Sequence, residues 1–298
     1  MICKSDRAGR RHLRSQTLAV ALSAVAASTT ITGIAAAADL GDDLLRGSLL
    51  PSFETQSYTD WSGVNVGVYY GWSNQSSDFG SGSRDLIAYI LRDTAVENEG
   101  HVSQWTTGGR STANASSYGA FLGYSYAIEP RLIVGMDLTY TRFASSPSSA
   151  FSEQTNGSYQ TNDGYLYDMR LSTESRLKLK DYATLRGRLG YAFGQFLPYA
   201  VLGVAAGRVD VQRMASVYGT ATDITPAGRP DLALDPNPTV RTDNRSTFAY
   251  GLVAGLGIDA MIMPNLFLRA EYEFVQFAPI DGIKANLQTG RVGLGMKF

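Results

Sequence analysis

The chain has 298 residues, a formal net charge of -1, 44% hydrophobic residues and only 18% charged residues. The lack of a basic excess argues against a nucleic-acid-binding protein. The 31 glycines and 17 tyrosines suit strands and tight turns better than helices, and the length suits one barrel or sandwich, or two smaller domains.

The N-terminus has the parts of an export signal. The short apolar run Leu18–Ala27 is preceded by five basic residues and followed by four alanines at 35–38, just before Asp39. The basic residues are Lys4, Arg7, Arg10, Arg11 and Arg14. We therefore predict a signal peptide over 1–38. An anchoring helix is the alternative, but the run is too short to span a bilayer. Cys3, the one cysteine of the chain, leaves with the signal, so no disulfide or thiol chemistry is expected.

Residues 39–60 show no clear period and are predicted to form a periplasmic linker, with a β-barrel over 61–298. From Trp61 onward, apolar and polar residues alternate with the period of two that is typical of strands. The alternation predicts eight strands, at about 62–72, 116–126, 132–141, 182–191, 198–209, 247–259, 266–274 and 288–298. Each is about ten residues long, the length that a tilted strand needs to cross a membrane.

One face of each predicted strand is apolar and is predicted to point outward. In the last strand this face carries Val292, Leu294, Met296 and the C-terminal Phe298. In the fifth strand we assign Tyr199, Val201, Ala205 and Val209 to the outward face. Aromatic residues cluster near the strand ends, as in the interfacial girdles of membrane barrels.

Short and long connections alternate along the chain. The short ones, at 127–131, 192–197 and 260–265, contain the Pro or Gly residues of tight turns. The others, at about 73–115, 142–181, 210–246 and 275–287, are rich in Ser, Thr, Asn, Asp and Gly. The sequence therefore predicts an all-β fold: an eight-stranded antiparallel transmembrane β-barrel with short periplasmic turns and long extracellular loops.

The inward face carries the charges of the predicted strands. They are Asp137, Arg186, Arg188, Asp259, Arg269, Glu271, Glu273, Arg291 and Lys297. A charge facing lipid at mid-depth costs about 2–4 kcal/mol, whereas charges inside a narrow barrel can pair with one another. A soluble barrel or sandwich would place the same charges in solvent, but it accounts less well for the signal, the terminal aromatic and the alternating loops. The first eight residues are predicted to form a charge network in the barrel lumen.

Several segments resemble a known family. DWSG at 60–63, LRGRLGYAFGQFLPYAVLGVAAG at 185–207, NLFLRAEYEFVQFAP at 265–279 and RVGLGMKF at 291–298 are similar to the small outer-membrane β-barrel proteins of alphaproteobacteria, often called porin-family or opacity-like surface antigens. The resemblance covers the strands of 60–298 and fades in the long loops. It implies a bacterial outer-membrane location and a barrel inserted by the outer-membrane assembly machinery, with Phe298 as part of the insertion signal. Outer-membrane lipid, lipopolysaccharide and an extracellular ligand at the loops are the other expected partners.

Residues that could support catalysis or metal binding are few. After the signal, the one histidine is His101, with Asp93, Glu97, Glu99 and Ser103 near it in sequence. Because a hydrolase needs such groups in fixed geometry and this segment reads as a loop, we expect no enzyme activity. With one histidine and no cysteine, no metal and no cofactor are expected either.

The segment 84–98 differs from its surroundings, because Leu86, Ile87, Ile90 and Leu91 have roughly helical spacing. A loop packed on its own apolar residues is preferred over a short helix that covers the barrel mouth or contacts a partner. For the whole protein, the first hypothesis is a structural and surface-interaction role. The alternative is a narrow porin, which the predicted lumen charges disfavour, since an eight-stranded barrel is just wide enough for side chains.

Overall fold

A computed structural model describes residues 59–80, 82–233 and 239–298. The predicted signal peptide and nearly all of the predicted linker lie outside these residues. In the described part of the chain, no helix is long and apolar enough to cross a membrane.

Ten strands occur in the described residues, and they belong to one antiparallel sheet. They are β1 Gly63–Asp78, β2 Arg110–Ala127, β3 Leu132–Phe143, β4 Ser148–Gln160, β5 Tyr165–Tyr191, β6 Phe196–Asp223, β7 Leu232–Ala233, β8 Thr239–Met263, β9 Leu266–Phe277 and β10 Lys284–Lys297. The connection between β1 and β2 contains two short helices, α1 Arg84–Ile90 and α2 Ala95–Gly100, and a 3-10 turn at Val102–Trp105.

Eight of the described strands close into a barrel in the order β1, β2, β3, β5, β6, β8, β9 and β10. The seam is the pairing of β1 with β10, and at its end the backbones of Val64 and Phe298 exchange two hydrogen bonds of 3.1 and 2.8 Å. Each predicted strand overlaps one barrel strand. The predicted all-β, eight-stranded antiparallel barrel is therefore confirmed.

Two of the segments predicted as long loops are folded as strands. β4 runs in the same direction as β3 and pairs with the N-terminal part of β5. Together, β3 and β4 therefore form one long strand that is interrupted at 144–147. β6 and β8 form a second long hairpin, with the short β7 beside β6. The part of β5 that precedes the barrel, from Tyr165 to Asp181, is about 50 Å long at about 3.3 Å per residue. A wall of sheet therefore extends from the long-loop end of the barrel.

A β-bulge aligns the wall with the barrel. In β5, buried residues occupy odd positions up to Leu179 and even positions from Tyr182 onward, and the register shift lies between Leu179 and Asp181. One extra residue on a strand moves every later side chain to the opposite face. The bulge therefore keeps the apolar face of the wall continuous with the face that lines the lumen.

The predicted faces of the fifth strand are wrong. Tyr199, Val201, Ala205 and Val209 are buried and point into the lumen. Leu202, which is 70% exposed, lies on the outer face of the same strand. Residues on both faces of this strand are apolar or small, so alternation alone does not distinguish them. The phenol of Tyr199 has a charged partner inside, which the sequence pattern does not reveal.

The segment 84–98 is helical, contrary to the preferred loop interpretation. Ile87 and Leu91 of the α1 region pack with Val96 and Val102 against the inner face of the wall. The wall contributes Met169, Leu171, Ala215 and Val217 to the same buried cluster. The helical spacing in the sequence is therefore the signature of an amphipathic helix that covers the sheet.

Candidate functional site: a charged layer in the barrel lumen

The eight predicted network residues lie inside the barrel, and each is at most 5% exposed. Strand register alone brings three pairs of opposite charges face to face: Asp137 opposes Arg186, Asp259 opposes Arg269, and Glu271 opposes Arg291. Opposed residues on neighbouring strands are the pairs that interact most closely in a sheet. Four arginines and four carboxylates therefore form one layer across the lumen.

The first half of the layer lies nearer to the short-turn end. Arg188 donates to Asp137 Oδ2 from Nη2 at 2.7 Å and to Asp259 Oδ2 from Nη1 at 3.0 Å. Arg269 forms a two-point contact with Asp259, from Nε to Oδ1 at 2.8 Å and from Nη2 to Oδ2 at 2.9 Å. Fork-shaped contacts of this kind are among the strongest protein hydrogen bonds.

The second half lies nearer to the long-loop end. Arg186 and Arg291 share Glu271 and Glu273: their distances to Glu273 Oε2 are 2.7 and 2.9 Å, and both also contact Glu271 Oε1. Arg186 Nη2 lies 3.7 Å from Asp137 Oδ2, which connects the two halves. The contacts cross the lumen from β5 to β9 and β10, so the layer joins opposite sides of the barrel wall.

Two buried tyrosines donate hydrogen bonds to the two glutamates of the layer. Tyr182 donates to Glu273 Oε1 at 3.0 Å, and Tyr199 donates to Glu271 Oε2 at 2.9 Å. The Tyr199 ring also lies 4.2 Å from the guanidinium carbon of Arg188. The sequence pattern did not identify either tyrosine as part of the layer. The inward orientation of Tyr182 could have been found from the period of two, because Tyr182 lies two residues before Thr184 and four before the inward-facing Arg186.

Apolar side chains lie on both sides of the charged layer. The short-turn side holds a cluster of Trp61, Tyr69, Phe121, Ile133, Ala192, Leu197, Met261 and Phe267. The long-loop side holds a larger cluster that includes Leu177, Leu179, Val209, Val253, Val275, Phe277 and Leu287. Two further guanidiniums stack on rings at the first boundary, Arg269 at 4.0 Å from Phe121 and Arg291 at 4.6 Å from Tyr69. The charged layer therefore lies between two apolar layers along the lumen.

Energetically, the layer is costly to break. Removing one partner from a buried ion pair leaves an uncompensated charge and costs about 3–5 kcal/mol, although the intact pair adds little net stability compared with apolar side chains. Because four arginines face four carboxylates at short distances, their attraction offsets the cost of removing these charges from water. The layer therefore links strands on opposite sides of the lumen through buried ion pairs.

The remaining predicted positions lie elsewhere. Phe298 is 67% exposed on the outer face of the barrel, and its role as an insertion signal stays a prediction. Lys297, which the sequence also places inside, lies at the short-turn rim, where its Nζ is 3.6 Å from Asp60 Oδ2.

His101 is exposed and has a left-handed backbone conformation with φ of 46° at the end of α2. The carboxylate of Glu97 instead accepts hydrogen bonds from the Ser103 backbone at 2.9 Å and from the Ser103 hydroxyl at 2.6 Å. The groups near His101 therefore stabilise the turn between α2 and the next 3-10 turn.

Arg213 fixes the helical loop on the wall, a role that the sequence pattern did not indicate. Its Nη1 donates to Gly82 O at 2.9 Å and contacts both carboxylate oxygens of Asp85 at 2.9 Å. The arginine is buried within the sheet, while Asp85 lies in the first turn of α1. This clamp and the apolar cluster below it hold α1 over the inner face of the wall.

The tips of the two long hairpins are also joined. Arg229 Nη2 donates to the Asp163 carbonyl at 2.8 Å and to Asp223 Oδ1 at 2.9 Å, and the Ile224 amide donates to the Gly164 carbonyl at 3.1 Å. Hydrogen bonds from Arg229, and then from Thr225, hold the pKa of Asp223 below its usual range, although partial burial opposes the shift. The tip contact is therefore a charged one that depends on an ionised Asp223.

Comparisons with known proteins agree with this architecture. The family described as outer membrane protein beta-barrel domain matches residues 18–298. The 25 kDa outer-membrane immunogenic protein of Brucella ovis is 26% identical over 137 residues, which cover 46% of this chain and 53% of that protein. The protein of the same name from Brucella melitensis is 24% identical over 143 residues, 45% of this chain and 54% of that protein. The chain thus spans about half the length of the curated relatives it matches.

Two solved structures align with most of the chain. Neisserial surface protein A is 14% identical, with a TM-score of 0.37 over 80% of this chain and 98% of that one. Ail, the attachment invasion locus protein of Yersinia pestis, is 13% identical, with a TM-score of 0.30 over 80% of this chain and 99% of that one. At this level of similarity they say nothing about what this chain binds. Because the family match spans nearly the whole chain, the protein belongs to the outer membrane protein beta-barrel domain family and is a β-barrel of the bacterial outer membrane.

Proposed function

We propose that this protein is a structural and surface-interaction protein of the outer membrane, in which a closed barrel carries an ordered extracellular sheet. The observation that supports it best is the lumen, where a layer of paired charges lies between two apolar layers. Eight-stranded barrels have interiors just wide enough for side chains, and here those side chains are locked to one another. The barrel then serves as an anchor, and the wall with its helical loop is the part that meets the surroundings.

Single-channel recording in a planar bilayer tests the closed lumen. The mature protein is refolded, and an unboiled gel shift shows that it is folded before each recording. We expect no steady conductance steps from the wild-type protein. Reproducible steps from folded protein would contradict the proposal and support the alternative, a narrow porin for small solutes or ions.

A pair of double variants identifies the barrier. Arg186→Ser with Glu273→Ser removes a cross-lumen pair while keeping the layer neutral, and we expect it to raise the frequency of brief conductance events. The matched control is Arg176→Ser with Glu174→Ser on the outer face of the same strand, which leaves the lumen unchanged. Equal behaviour of the two variants would mean that the charged layer is not the barrier.

A variant that keeps the barrel but lacks the three long extracellular hairpins tests whether anchoring and surface interaction lie in different parts of the protein. The register gives three places where a hairpin can be shortened without moving a strand, because the flanking residues already face each other. These pairs are Asp78 with Arg110, Ser148 with Lys178, and Val211 with Asn244. Replacing the intervening residues with tight turns should leave the gel shift and detergent resistance of a complemented deletion strain unchanged, but should abolish loop-dependent binding to host or environmental surfaces. If detergent resistance is lost as well, the wall has an envelope role of its own.

We further propose that the protein has no catalytic activity and that Phe298 forms part of the signal for the assembly machinery. The turn built around His101 supports the first point, and the exposed aromatic at the seam supports the second. Replacing His101 with Ala should leave every phenotype of the complemented strain unchanged. Deleting Phe298 should slow insertion in cells, whereas unassisted refolding in detergent should proceed at nearly the wild-type rate.

A further inference from the structure

A row of cations lies on the outer face of β3, β5 and β6, just beyond the lipid-facing residues. We call it the basic row, and it consists of Arg142, Arg176, Lys178, Lys180 and Arg208. Arg142 follows the lipid-facing Tyr140 by two positions, and the register places Arg142, Asp181 and Arg208 side by side on the three strands. The lowest cations of the row therefore lie at the level of the outer-leaflet headgroups.

Among the side chains that the structure describes, those of the other five barrel strands do not continue this row at the same level. The first polar residue beyond the lipid-facing ones on each of them is uncharged: Asn74, Ser116, Ser246, Gln276 and Gln288. On β3 and β6 the corresponding residues are Arg142 and Arg208, and on β5 the corresponding residue is Asp181, which Lys180 precedes. Next to the lipid-facing residues, the cations among the described side chains therefore lie on β3, β5 and β6, whereas the exposed Arg110 and Lys284 of β2 and β10 lie further along their strands.

The acids near the row compensate only part of its charge. Arg208 is paired with Asp181, and Lys180 Nζ lies 2.9 Å from Asp210 Oδ1. Glu174 is the other acid on the outer face of this part of β5. Arg176 and Lys178 are also exposed. Lys178 lies opposite Asp210 in the strand register, so Lys178 and Lys180 share that one acid. The basic row therefore keeps a net positive charge.

A shallow depression lies directly beyond the row on the same outer face. It has a volume of about 350 Å³, and its lining includes Ala150, Ser152, Glu174, Arg176, Gln212 and Met214. The small side chains of β4 create the space, while the longer ones of β5 and β6 supply donors and acceptors. Arg176 belongs both to the row and to the depression, so one ligand can contact both.

We propose that this face binds the phosphorylated headgroup of an outer-leaflet glycolipid, with its phosphates on the basic row and its sugar in the depression. From Asp181 to Arg176 is about 16 Å of strand, or about 12 Å of height at the usual strand tilt. The interfacial region on each side of a bilayer is only about 5–8 Å thick. A simple phosphoglyceride headgroup ends near the lower cations, whereas a glycolipid extends far enough to reach the depression. The inference needs only the outer-membrane location, and it holds whether or not the lumen is closed.

Native mass spectrometry of the folded protein in neutral detergent tests this proposal. The probes are bisphosphorylated lipid A, its dephosphorylated form and phosphatidylglycerol, each titrated at the same salt concentration. We expect lipid A to bind at least tenfold more tightly than the other two. Equal binding of dephosphorylated lipid A would remove the role of the phosphates, and equal binding of phosphatidylglycerol would remove that of the sugar; either result overturns the proposal.

Two double variants assign the binding to the row. A cation near an anionic membrane surface contributes roughly a fivefold change in affinity, so Arg176→Gln with Lys178→Gln should weaken lipid A binding about 25-fold. The matched control is Arg110→Gln with Lys284→Gln, two exposed cations on β2 and β10. An unchanged gel shift shows that both variants are folded. Equal weakening in the control would mean that net charge alone is responsible and would overturn the assignment.

Discussion

Replacing Arg186 with Met gives the sharpest test of the lumen layer. The side chain is fully buried, and it contacts Glu271, Glu273 and, at 3.7 Å, Asp137. Met keeps the length and much of the volume of the side chain, so the change removes the charge without opening a large cavity. Two carboxylates that now share two arginines would then share Arg291 alone.

The expected cost follows from the charge that is left behind. Breaking a buried pair by removing one partner typically costs about 3–5 kcal/mol, and we expect a loss in that range for Arg186→Met. Adding Glu273→Gln restores neutrality, and the amide can still accept the hydrogen bond from Tyr182. The double variant should therefore recover more than half of the loss, about 2 kcal/mol or more, which is a strong non-additive coupling.

Urea unfolding of the barrel in lipid vesicles, followed by tryptophan fluorescence and the gel shift, measures both quantities. Arg176→Met is the matched control, because Arg176 lies on the outer face of the same strand, and we expect a change within about 0.5 kcal/mol. A cost of less than about 1 kcal/mol for Arg186→Met would refute the buried ion layer, since the carboxylates left without Arg186 would then be effectively hydrated. The buried ion layer is also refuted if the losses from the two lumen substitutions simply add.

Other residues give three further tests. Tyr199→Phe should destabilise the barrel by about 1.5–3 kcal/mol in the same urea titration, because it removes a hydrogen bond to a carboxylate. The lipid-facing Tyr191→Phe should change the free energy of unfolding little, and equal effects would contradict the inward orientation of Tyr199. Arg213→Gln should release α1 and speed chymotryptic cleavage of the loop between β1 and β2 without changing the gel shift, and unchanged cleavage would show that the apolar cluster alone holds the helix. Because Arg229 lowers the pKa of Asp223 in the folded state, the stabilisation of the hairpin tip is complete above about pH 4, the ordinary range of the group, and is lost as the pH falls below it. Hydrogen exchange of residues 224–231, corrected for its intrinsic pH dependence, should show this loss, and Asp223→Asn should remove the pH dependence; an equal dependence in both would exclude this carboxylate.

The barrel was predictable because the membrane imposes a strong pattern on sequence. Lipid requires an apolar residue at every second position, and a narrow lumen collects the charges, so Asp137 and Arg186 could be assigned inward from period two alone. β6 lacks this contrast: Val201 faces the lumen and Leu202 faces the lipid, and both are apolar. The information that orients the strand is the partner of Tyr199, which lies on a strand some seventy residues away.

The wall was not predictable for a different reason. Outside the membrane, the outer face of β4 is polar and its inner face includes Ser149, Thr155 and Gly157, so alternation between apolar and polar residues is nearly absent. The strand exists because its backbone pairs with β5 and its inner face is covered by the helical loop. Neither contact is local in sequence, whereas the helix itself left a local signal in the spacing of Leu86, Ile87 and Leu91.

The joined hairpin tips determine what an antibody would recognise at the outermost end of the protein. That surface combines Asp163 and Gly164 of one hairpin with Asp223, Ile224 and Arg229 of the other, which are about sixty residues apart in the chain. Such a surface is a discontinuous epitope. A synthetic peptide copied from either tip presents only half of it and lacks the guanidinium bridge that orders the other half. Antibodies against the assembled tip should therefore bind intact cells but not boiled protein on a blot.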